Sequence, residues 1–152
     1  MSDTTTSANA EVTNAKKQLS NAQTTYSDSK TSSAAEVKKT KASLQTLKKT
    51  IRSLKDKIKA AKDAARKTAL QQELSQAQEQ LTQAQEKYEQ AVSNQTSGNR
   101  QNQSSVDSAK TAVEQAETNR TKQIKEAQKQ VKEAKENLDN CAVTAPVSGT
   151  VT

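Results

Sequence analysis

The sequence predicts an all-α fold, a long antiparallel coiled-coil helical hairpin with a polar interruption midway and a short β-strand at its end. Three observations predict it. Apolar and small residues recur in alternating steps of three and four, that recurrence changes phase once, and the last twelve residues replace it with an alternation of period two. Composition agrees. Among 152 residues there is no Phe or Trp, only Tyr26 and Tyr88 as aromatics, two glycines and one proline, with 30% hydrophobic and 27% charged residues. That leaves too few bulky side chains for a globular core and matches a long helix or coiled coil. Low hydrophobicity with high charge is also the signature of disorder, and the periodicity decides between the two.

Residues 1–7 precede the first regular repeat, and the helical hairpin is expected over 8–140. A seam begins with Val12, Ala15, Leu19, Ala22 and Tyr26, and resumes at Val37, Thr40, Leu44, Leu47, Ile51, Leu54, Ile58 and Ala61. A second series runs Leu70, Leu74, Ala77, Leu81, Ala84, Tyr88 and Ala91, out of phase with the first. The step from Ala65 to Leu74 is nine residues. Nine residues rotate a helix by about 180° beyond whole turns, so one unbroken helix cannot keep both seams on one face. The chain is therefore expected to turn near 62–68, with capping chemistry offered by Asp63 and by the pair Thr68 and Gln71. The arms Ala35 to Ala61 and Ala69 to Ser93 are then nearly equal, as an antiparallel pair requires, and place Leu54 and Leu81 in one seam.

Both arms reach polar stretches, near 27–34 and 93–105, expected as interruptions of the hairpin. Beyond the second, Val106, Ala109, Val113, Ala116, Ile124, Ala127, Val131, Ala134 and Leu138 continue the seam and outlast the expected partner helix, Ala8 to Thr25, by about a dozen residues. The excess is taken up by a loop or pairs with sequence upstream. This half has Ala at nearly every second core position, whereas each buried Leu or Ile near the turn contributes roughly 1.5–3 kcal/mol. It is expected to be the looser half.

The formal charge is +7, and its distribution matters more than its size. Between Glu36 and Lys67 stand ten Lys and two Arg against three carboxylates. Lys41, Lys48, Lys55 and Lys62 recur every seven residues at heptad position e, with Lys38, Arg52, Lys59 and Arg66 as a second column. A basic stripe is a legitimate nucleic-acid footprint. Against that reading, no aromatics interleave to stack bases, and the apolar seam commits one face to a partner helix. Histidine is absent, no glycine-rich phosphate loop occurs, and no acidic pair marks a cleft, so no catalytic, cofactor-binding or metal-ligating residue is assigned and the chain is read as a non-enzyme. Cys141 is the only cysteine and is expected as a small buried hydrophobe at the start of a strand. The sequons at Asn94, Asn102 and Asn119 are of the frequency chance supplies in so Asn-, Ser- and Thr-rich a chain. No apolar run is long enough for a membrane span, and the polar N-terminus lacks a secretory signal core.

From Cys141 onward, Cys141, Val143, Ala145 and Val147 alternate with Ala142, Thr144, Pro146 and Ser148, and Gly149 permits a turn before Val151. A strand this short needs partner strands. A long helical hairpin returning into NLDNCAVTAPVSGTVT resembles the membrane fusion proteins, or periplasmic adaptor subunits, of bacterial efflux and secretion pumps. In that family an α-hairpin splits a lipoyl-like β domain whose second half reopens with a pattern like V-x-AP-x-x-G-x-V, matched by Val143, Ala145, Pro146, Gly149 and Val151. The resemblance makes 1–7 an exit from the first lipoyl half and 141–152 the start of the second. As a specific motif it covers about a dozen residues, shared with biotinyl and lipoyl carriers.

The resemblance implies a non-catalytic adaptor without cofactor, linking an inner- or plasma-membrane exporter (ATP-binding cassette or proton-driven) to an envelope partner. It further implies an extracytoplasmic, membrane-associated location, a ring of like copies, and no nucleic acid. Family members that dock on outer-membrane channels carry R-x3-L-x6-S at the tip. Arg66 and Leu70 match, but Ala77 stands at the serine position, which leaves a Gram-positive adaptor without such a channel open. The tip residues expected to meet a partner are Lys62, Asp63, Arg66, Lys67 and Leu70. Between copies, Lys41, Lys48 and Lys55 are expected to meet Glu73, Glu79 and Glu86. The competing readings are a structural coiled coil with no transport role and a basic helical nucleic-acid-binding protein.

Overall fold

The computed structural model describes the backbone of residues 2–141 and the side chains of residues 5–141. Two long α-helices form an antiparallel hairpin: α1 (Ser2–Ala60) and α2 (Ala64–Asn140). No β-strand occurs among the described residues. The chain divides into two packed units, one spanning Ala22–Val106 and containing the turn, the other made of the residues up to Asn21 with those from Asp107 onward.

In the unit containing the turn, Ile51, Leu54 and Ala77 form a buried cluster, against which Leu70, Leu74 and Leu81 pack. Leu54 and Leu81 thus share one seam. The expected a/d positions are the covered ones throughout: Leu44 and Val106 are buried, and Val37, Leu47, Ile58, Ala84 and Tyr88 are half-buried. Two helices offer each other only one stripe apiece, so most seam side chains stay partly wet, and helical stability rests on that stripe rather than on propensity.

Both polar stretches are helical, which corrects the expected interruptions near 27–34 and 93–105. The hydroxyl groups there are accommodated within the helix instead of breaking it. Thr31 Oγ1 donates to the Ser27 carbonyl at 2.9 Å, Ser32 Oγ to Asp28 at 2.9 Å, Thr96 Oγ1 to Val92 at 2.9 Å and Ser105 Oγ to Gln101 at 3.1 Å. A hydroxyl satisfied by the preceding turn no longer competes for non-helical geometry. What is interrupted is the apolarity of the seam, whose half-buried positions here are Ser29, Ser33, Gln95, Gly98, Asn99 and Asn102. The Asn99 side-chain oxygen is buried without a hydrogen-bond partner, and Lys30 Nζ lies 5.9 Å from the Tyr26 ring centroid, a cation–π distance.

In the other unit Ala8, Val12 and Ala15 are buried on α1. Two cross-helix contacts set the register: Lys16 Nζ pairs with Glu117 Oε1 at 2.8 Å, and Arg120 Nε donates to Asn9 Oδ1 at 2.6 Å. Helix α1 begins at Ser2, so residues 2–7 belong to it. The excess of α2 lies at its C-terminal end, not in a loop. Ala127 is the last half-buried residue, everything from 128 to 141 is exposed, and Val131 and Leu138 are 37% and 72% exposed. Cys141 is an exposed turn residue whose N–H donates to the Asn137 and Leu138 carbonyls at 3.2 and 3.1 Å, closing the last helical turn. It is not a buried strand residue. The strand expected beyond it lies outside the described residues.

The contrast between the two seams is measurable. Leu54→Ala should cost about 2–4 kcal/mol in denaturant unfolding, whereas Leu138→Ala, with nothing packed on it, should stay within about 0.5 kcal/mol of the parent.

The Lys16 ammonium beside Glu117 holds that carboxyl below its ordinary value, through their hydrogen bond first and charge attraction second. A carboxylate depressed in the folded state stabilises fully above its unfolded pKa, and that contribution disappears as pH falls through the folded value. The melting-temperature gap between the parent and Glu117→Gln should therefore be small but present near about pH 7. It should vanish toward about pH 3, and about 0.5 M salt should narrow it.

Candidate partner-binding site at the hairpin turn

The turn occupies only residues 61–63, starting one residue and ending five residues before the expected 62–68. Its chemistry explains the position. The Ala61 N–H still reaches the Lys57 carbonyl at 2.9 Å, completing α1. Asp63 then acts as the N-cap of α2: its Oδ2 accepts the Arg66 N–H at 3.0 Å, and its carbonyl accepts the Lys67 N–H at 3.1 Å. A carboxylate here also faces the positive end of the helix dipole. The alternative cap at Thr68 is not used. Thr68 is inside α2, and its hydroxyl donates back to the Ala64 carbonyl at 3.1 Å.

Around this cap lies an open hollow of ≈ 400 Å³ lined by Lys57, Ala60, Ala61, Lys62, Asp63, Arg66 and Leu70. Four of the five expected tip residues meet there. Lys67 is exposed but is not part of the lining. Leu70 has two duties, since it is half-buried and packs on the Ile51, Leu54 and Ala77 cluster while its flank borders the hollow. Asp63 likewise carries a structural role. Lys57, Lys62 and Arg66 are exposed and without ion-pair partners, so they are the lining residues with charge to offer. Lys57, Ala60 and Ala61 were not anticipated; placing the corner at 61–63 would have brought the last turn of α1 into the site.

The turn also divides both expected basic columns. Lys38, Arg52 and Lys59 lie on α1, whereas Arg66 belongs to α2 and Lys62 to the turn. On α1, Lys41, Lys48 and Lys55 are exposed, and Gln45, Lys48, Lys49 and Arg52 line one shallow groove on that helix. Glu73, Glu79 and Glu86 are exposed on α2. No ion pair joins any of these groups.

Charge is unevenly shared between the units. Ala22–Val106 holds fifteen Lys and Arg against eight carboxylates, +7, while the remainder holds nine of each and is neutral. All three ion pairs among the described residues, Lys16–Glu117, Lys129–Glu133 and Lys132–Glu136, belong to the neutral unit. The basic unit has none.

Among the described residues no group of three His, Cys, Asp or Glu is placed to hold a metal ion, and no helix is long and apolar enough to cross a membrane. The lipoyl-motif positions Val143, Ala145, Pro146, Gly149 and Val151 lie outside the described residues. No protein-family model, curated protein or solved structure matches the chain.

The cap can be separated from the charges around it. Asp63→Ala should destabilise the hairpin by about 1 kcal/mol, and Asp63→Asn, which keeps an acceptor at the same place, should recover most of that loss in the same unfolding measurement.

Proposed function

We propose that the chain is the hairpin of a non-catalytic adaptor that links a membrane exporter to its envelope partner, with the turn as the contacting end. The observation that carries this reading is the build of the turn. Lys62 and Arg66 stand exposed and unpaired in the lining of a hollow where Asp63 caps α2 and Leu70 packs on the core cluster. These two cations form no ion pair within the hairpin, and unpaired charges beside a capped and packed turn suit recognition of another protein. The succession of a helical hairpin and a V-x-AP-x-x-G-x-V pattern supports the same reading.

On this reading the transporter partner is an ATP-binding cassette or proton-driven exporter. The adaptor works outside the cytoplasmic membrane, and copies stand side by side in a ring.

The test uses Lys62→Ala with Arg66→Ala in the protein as expressed in its own cells. Export should fall at least about tenfold and co-purification with the exporter or envelope partner should be lost, while unfolding free energy moves by no more than about 0.5 kcal/mol. Unchanged export, with photo-crosslinks from position 62 capturing no transport component, would remove the adaptor assignment.

A further inference from the structure

The most strongly charged surface among the described residues is the α1 side of the unit Ala22–Val106, where Asp56 is the one carboxylate among the cations between Lys38 and Lys59 and no ion pair forms. Its cations lie at adjacent heptad positions: Lys41, Lys48 and Lys55 at e, Lys38, Arg52 and Lys59 at b, and Lys49 beside them. In an antiparallel coiled coil e faces e, and the corresponding α2 positions are Gln71, Gln78 and Gln85. That flank therefore carries amides where carboxylates would be expected. None of the fifteen cations in the unit forms an ion pair, although the other unit pairs Lys with Glu three times. A second copy cannot remove the excess. It brings the same +7, and its other unit is neutral.

We infer that this basic face of α1 adsorbs on an anionic phospholipid surface. A single helix flank holds its cations in nearly one plane, with Lys41 to Lys55 spanning about 21 Å. That arrangement meets a flat array of headgroup phosphates along its whole length. A duplex curves its phosphates away from a straight row, and no aromatic side chain on this face stacks on bases. Among the described residues the large exposed apolar side chains, Val131 and Leu138, are both in the other unit, so attachment through this face is electrostatic. Each Lys or Arg near an anionic leaflet strengthens binding about fivefold, and screening within a Debye length makes the attachment salt-sensitive.

Co-sedimentation of the whole chain with vesicles tests this. At about 0.1 M NaCl the chain should pellet with phosphatidylcholine vesicles containing about 30% phosphatidylglycerol, should not pellet with phosphatidylcholine alone, and should be released at about 0.5 M NaCl. Replacing Lys41, Lys48, Arg52 and Lys55 with Gln should weaken partitioning more than about 50-fold, while Gln at Lys125, Lys129, Lys132 and Lys135 should change it less than about threefold. Both variants lose the same charge, and Gln matches Lys and Arg in helix propensity, so circular dichroism should find both helical. Equal weakening by the two variants would assign binding to net charge and overturn the inference. So would failure of the parent to bind anionic vesicles, or its displacement by duplex DNA at equal phosphate concentration.

Discussion

Among the described residues the two helices bury their apolar stripes against each other, and the sequence presents those stripes in two phases. Seam one ends at Ala61 and seam two begins at Leu70, and a nine-residue step between Ala65 and Leu74 turns the stripe to the opposite side of a continuous helix. An unbroken helix would leave Ile51 and Leu54 on one side and Leu74 and Leu81 on the other, all in water. Folding back at 61–63 lets the four meet around Ala77, with Ile51, Leu54 and Ala77 buried together. The cap at Asp63 sharpens a corner that the phase break has already made necessary.

The seam was readable residue by residue because its period is a property of the α-helix itself. The corner was displaced by a few residues because no Gly or Pro marks it. Asp63 and the Thr68–Gln71 pair both satisfy capping rules, and only geometry shows that Thr68 is spent on the Ala64 carbonyl. The polar stretches misled for a related reason. Ser, Thr and Asn favour turns when their side chains compete for the backbone, but Thr31, Ser32, Thr96 and Ser105 turn that same capacity onto the carbonyl of the previous turn. The polar layer this creates, with Asn99 among its half-buried positions, costs stability but penalises register slips, a known use of polar seam residues.

The candidate site was partly legible for the same reasons. Lys62 and Arg66 flank any turn placed in the sixties, so their exposure follows from position alone. The second duty of Leu70 follows from its place as the first seam residue of α2, where a tip contact and a core contact fall on opposite flanks of one side chain. Lys57, Ala60 and Ala61 needed the true corner to be seen.

Charge partition adds a constraint that neither periodicity nor capping addresses. In the neutral unit the carboxylates sit where lysines can reach them, across the seam at Lys16–Glu117 and along α2 at Lys129–Glu133 and Lys132–Glu136. Helix solubility alone would have been met by the same mixed pattern in the turn-bearing unit. Instead α1 concentrates cations on one flank, and α2 places glutamines opposite them and carries Glu73, Glu79 and Glu86 without pairing them to those cations. Self-repulsion along such a flank opposes folding of the isolated chain, and it is relieved when an anionic surface lies against it. The excess of charge on α1 and the exposed cations at the capped turn are thus two separate features, one a flat basic flank and the other a charged corner.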